Sequence, residues 1–137
     1  MIEKMEWQGQ TLALILRCGF DKQGVNFITS ETNPLQVGVL QHPQGSNIKP
    51  HIHRASSKTV DSVQEVLHIE YGRVAVHFYA ETGQRVGGVT LNMGDTILLL
   101  AGGHGFDILE DSKIIEVKQG PYAGVERDKK CLEAGGD

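Results

Sequence analysis

Short apolar runs of five to eight residues, each cut off by a turn segment, constrain this chain more than any other feature. "TLALILR", "VNFIT", "LQVGVLQH", "EVLHIEYG", "RVAVHFYA", "VGGVTLN", "TILLLAG" and "KIIEVKQ" are rich in Val, Ile, Leu or Thr and read as eight strands. Between them stand "DKQG", "SETNP", "HPQGSN", "ETGQ", "NMGD" and "LEDS", which carry turn chemistry. No window sustains a helical period, so the expectation is an all-β protein. Eight short antiparallel strands suit a jelly roll, which limits exposed sheet edges. With 137 residues and no linker-like stretch, one domain is expected over residues 1–137. The first ten residues are weakly patterned. A helical turn is possible around "VERDKKCLEA", and the end "CLEAGGD" reads as frayed.

The formal net charge of -4 supplies no basic footprint. Nucleic acid and anionic membrane are therefore poor partners, and a small-molecule ligand is the better expectation. Cys18 and Cys131 are the only cysteines and do not form a Cys-x-x-Cys pair, so both are expected as reduced thiols. "LALIL" is too short for a signal core or a membrane span, which places the expectation in the cytoplasm.

His51 and His53 flank one isoleucine. In an extended strand, residues two apart project to the same face, so the two imidazoles would share one space. Such a spacing arises by chance in roughly one chain in four of this histidine content, and it gains weight only from its company. Glu65 heads the strand "EVLHIEYG", and His104 follows a glycine pair after the apolar run "TILLLAG". Glu70, His68 and His77 fall on the opposite face by parity. His42, in a turn segment, has no partner at ligand spacing.

Gly45, His51, His53, Glu65 and Gly72, followed by Gly94, Asp95, Gly102 and His104, resemble the two motifs of a small single-domain cupin. The resemblance covers roughly residues 35–120. The chain departs from the family pattern in the eleven residues between His53 and Glu65, in Leu100 where a proline is usual, and in His104 standing one place early. The resemblance implies a double-stranded β-helix barrel in which His51, His53, Glu65 and His104 hold one divalent metal ion. By ligand type, Fe, Mn, Ni, Zn and Cu are all admissible. Four ligands on an octahedral ion would leave about two positions for water or a chelating substrate. Arg54 and Lys58, in the polar insertion after His53, could meet an anionic substrate, and Gln41 could line the pocket.

Two functions follow from that resemblance. One is an enzyme, an oxygenase or isomerase acting on a small polar, metal-chelating substrate. The other is a non-catalytic metal- and ligand-binding module. "KIIEVKQGPYAGVERDKK" is similar to the closing strand of cupins in sugar-phosphate isomerases and polysaccharide-assembly proteins, which favours sugar-related chemistry. Cupins often pair through sheet edges, and a homodimer is expected.

Overall fold

The computed structural model describes residues 1–132. Residues 133–137, expected above as part of a frayed end, lie outside the described residues. The chain is nearly all β. Its strands are β1 (Ile2–Trp7), β2 (Gln10–Leu16), β3 (Gly24–Phe27), β4 (Gly38–Gln41), β5 (Glu65–Tyr71), β6 (Arg73–Tyr79), β7 (Arg85–Asn92), β8 (Thr96–Leu99), β9 (Gly103–Ile108) and β10 (Lys113–Lys118). One four-residue helix, α1 (Val125–Asp128), follows them. All eight runs picked from the sequence contain a strand, and β1 and β9 are additions.

Every pairing is antiparallel. A five-stranded sheet runs β1-β2-β8-β5-β10, a three-stranded sheet runs β7-β6-β9, and β3-β4 form a separate ribbon. The larger two sheets curl around a shared core of Leu12, Ala13, Ile15, Leu67, Ile69, Val74, Val76, Phe78, Leu91, Ile97 and Leu99. The period of two is visible in this list. On β5, Leu67 and Ile69 point in, and on β6, Val74, Val76 and Phe78 do. The result is a curled half-barrel of antiparallel strands.

Two glycines make the crossings between sheets possible. Gly72, at φ 96°, turns the chain from β5 into β6, where an added Cβ would collide with Ser112 and with the Asp111 carbonyl. Gly94, at φ 88°, carries it from β7 back to β8, and a Cβ there would lie 2.7 Å from Cβ of Cys18. Both conformations lie in the left-handed region, which a side chain disfavours. No helix among the described residues is long and apolar enough to cross a membrane.

Candidate functional site

Glu65 opens β5 at the point where that strand lies between β8 and β10. Its register partners are Leu99 on one side and Lys118 on the other. Directly opposed residues of an antiparallel pair share a face, so Glu65 follows Leu67, Ile69 and Leu99 into the interior. His104 lies on β9 opposite Phe78, whose ring is buried, and so projects inward from the other sheet. The two side chains meet, with His104 Nε2 3.3 Å from Glu65 Oε2. They are 30% and 14% exposed, respectively. Around them lies a cavity of about 540 Å³, walled by Val63, Tyr79, Leu99 and residues 101–105 where the chain enters β9, and on one side by residues 128–132.

The site is strongly polar on one wall. Lys118 Nζ lies 2.9 Å from Asp128 Oδ2 and 3.9 Å from Glu65 Oε1, forming a charge chain Asp128–Lys118–Glu65–His104. The His104 ring beside Glu65 holds its carboxyl below the usual carboxylate value. Burial opposes that shift, while the charges of His104 and Lys118 add to it. Glu65 is thus ionised at neutral pH. The Asp128 carboxylate raises Lys118 above its ordinary value, so the ammonium stays charged. Such an arrangement can accept hydrogen bonds from hydroxyls at Glu65, offer a donor or acceptor at His104, and place apolar contacts at Val63 and Leu99.

The structure brings together two of the four expected metal ligands. His51 and His53 lie in an exposed segment without strand geometry, between β4 and β5. Their rings pack edge to face at 5.2 Å, and His51 Nδ1 contacts the Lys49 carbonyl at 2.8 Å. The same-face argument required a strand, and no neighbouring strand pairs with this segment. Among the described residues, no group of three or more His, Cys, Asp or Glu is placed to hold a metal ion. In this arrangement the donors make two separate pairs and do not fit around one ion.

The proposed substrate contacts also lie elsewhere. Arg54 and Lys58 sit exposed in the same segment. Gln41 ends β4, where its side-chain oxygen accepts the Lys22 amide at 3.2 Å and its nitrogen donates to Asp21. None of the three lines the cavity. The residues set aside by parity are on the expected face. His68 turns from the core to Thr96, with 2.9 Å between Nδ1 and Oγ1, and Glu70 is exposed. His77 lies between Asp107 and Arg85, at 2.7 and 2.8 Å.

Lys118 and Asp128 escaped the sequence reading. Alternation along β10 was the available signal, because it puts Ile114, Glu116 and Lys118 on one face, but only the register with β5 shows that face to be the inner one. The Gly94–Asp95 turn has a second role. Asp95 is almost wholly buried, accepts the Cys18 and Asn92 amides at 2.9 Å each, and pairs with Arg17 at 2.9 Å. Arg17 in turn binds Glu3 at 2.6 Å, tying β1, β2 and the β7–β8 turn together.

No protein-family model, no curated protein and no solved structure matches the chain.

Proposed function

We propose that the protein binds a small polar molecule in the cavity at Glu65 and His104, in a cupin-type jelly roll. The observation that carries this is the meeting of an ionised carboxylate and an imidazole, delivered from two different sheets, at the wall of a cavity of about 540 Å³. That volume lies within the range of small-molecule sites, about 300–1,000 Å³. The apolar walls and the few convergent polar groups match the usual composition of such sites. Sugar-related ligands suit it, because adjacent hydroxyls present the donors that Glu65 accepts.

The cupin resemblance adds one divalent ion, among Fe, Mn, Ni, Zn and Cu, held by His51, His53, Glu65 and His104. It requires the segment between β4 and β5 to move so that its histidine pair joins the Glu65–His104 pair. A second reading, an isomerase, rests on the same pair, since a carboxylate beside an imidazole is a competent proton-transfer couple, whereas an oxygenase would depend on the metal ion that the resemblance adds. The experiment that separates these readings is a binding and turnover screen of neutral and acidic sugars, on the protein as purified and after loading with iron, manganese or zinc. Ligands that raise the melting temperature without being consumed favour the binding module. Loss of that stabilisation in both Glu65→Gln and His104→Ala supports the cavity as the site. Full retention in both sinks it.

A further inference from the structure

Residues 128–132, at the end of the described chain, form a contiguous wall of the cavity. Helix α1 has no buried residue and no side-chain cap. Among the described residues, its backbone hydrogen bonds run back to Gly124 and Val125. Asp128 and Leu132 tie this strap to the body. The Asp128 carboxylate sits 2.9 Å from Lys118 Nζ, and the Leu132 side chain packs against Gly103. Before the strap, the Tyr122 ring centroid lies 5.2 Å from the same Lys118 ammonium. The Lys118–Asp128 pair is largely shielded, with side chains 20% and 13% exposed. Helix α1, without a buried residue, belongs to the part of a fold that opens at low cost.

Lys118 stands at the junction of strap and site. It faces inward from β10 opposite Glu65, and its ammonium reaches both the site carboxylate and the strap carboxylate. Asp128 itself lines the cavity, so a departure of the strap leaves the place of its carboxylate, against Lys118, open to the same space as Glu65 and His104. Resting on the cavity reading above, we propose that Asp128 is an internal stand-in for the acidic group of the ligand. The natural ligand is then a small hydroxylated anion, bearing a carboxylate or a phosphate. Its anionic group displaces Asp128 from Lys118 and releases the strap, while its hydroxyls engage Glu65 and His104.

Gluconate and its neutral counterpart glucitol are the probes, with inorganic phosphate as the anion without hydroxyls. Tryptic cleavage after Lys130, whose scissile bond Asp128 does not flank, reports strap opening. In Asp128→Asn, cleavage accelerates several-fold without any ligand, and gluconate binds several-fold more tightly while glucitol is unchanged. Lys118→Met loses the preference for gluconate over glucitol, and Lys118→Arg keeps it. In the wild type, gluconate speeds cleavage and glucitol does not. Phosphate that competes with gluconate marks the anion position on Lys118, and phosphate that leaves gluconate binding untouched counts against it. Unchanged cleavage in Asp128→Asn, or equal affinities for gluconate and glucitol in wild type and Asp128→Asn, overturns the latch and leaves the cavity reading standing. Absence of binding by any probe to any variant removes both.

Discussion

Asp95 shows how one residue fixes the frame that the site depends on. Burial works to raise its pKa, but the Asn92 and Cys18 amides and the Arg17 guanidinium outweigh that and hold the carboxyl below its ordinary value. Arg17 likewise holds Glu3 below the carboxylate range. A carboxyl depressed in the folded chain binds fewer protons there than when unfolded. Its stabilisation is complete above the unfolded value of about 4 and disappears as pH falls through the folded one. Stability should therefore be flat from neutrality down to about pH 5 and fall below it. Urea unfolding of the wild type and Asp95→Ala across that range checks the point. The variant should be weaker by about 2–3 kcal/mol at neutral pH, toward the low side for a broken buried pair because Arg17 is 25% exposed, and should show a shallower acid slope. Parallel pH profiles would show that Asp95 is not the titrating group. Gly94→Ala forces a side chain onto Cys18 at a left-handed backbone and should cost more than 1 kcal/mol, read from the same urea midpoints.

At the level of elements, the strands differ in how well they are held. β5 and β8 lie inside the five-stranded sheet with Leu67, Ile69, Ile97 and Leu99 buried. The β3–β4 ribbon has two strands only, and its Val25, Phe27 and Leu40 are each more than half exposed. An isolated two-stranded ribbon is marginal in water, so its amides should exchange with deuterium orders of magnitude faster than those of β5 and β8. Equal protection would mean that something covers the ribbon. Leu67→Ala, in the centre of the core, should cost about 2–5 kcal/mol by chemical denaturation.

The same contrast explains what could be read in advance. Eight strands were legible because apolar side chains recur at a period of two. β1 hid because its half-buried positions alternate Glu3, Met5 and Trp7, and the carboxylate on that face makes sense only once Arg17 reaches it from the end of β2. β9 hid because "GHGFDI" opens with glycines and reads as a turn. Glu65 and His104 were legible as polar residues beside apolar strands. Their meeting was not, because it depends on which strands pair. His51 and His53 were legible as a pair, but their placement on a strand failed, since strand geometry needs a partner strand that this segment lacks.

For the whole molecule, the half-barrel leaves apolar surface at its margins. Phe106 and Ile108 share the inner face of β9 with Val76 and Val74, yet are 38% and 57% exposed. Ile48, Ile52, Val60 and Val63, all between β4 and β5, are exposed as well. Such a surface favours association, and a homodimer is expected by light scattering at micromolar concentration, where a monomer would contradict it. Both sheets that supply the site belong to one chain. NMR of the histidine ring protons during titration with gluconate and with glucitol is the most direct test of that site. The His104 resonances should move saturably with at least one probe while those of His42 and His77 stay in place. A His104 ring that no concentration of either probe shifts would contradict the assignment of the Glu65–His104 cavity as the binding site.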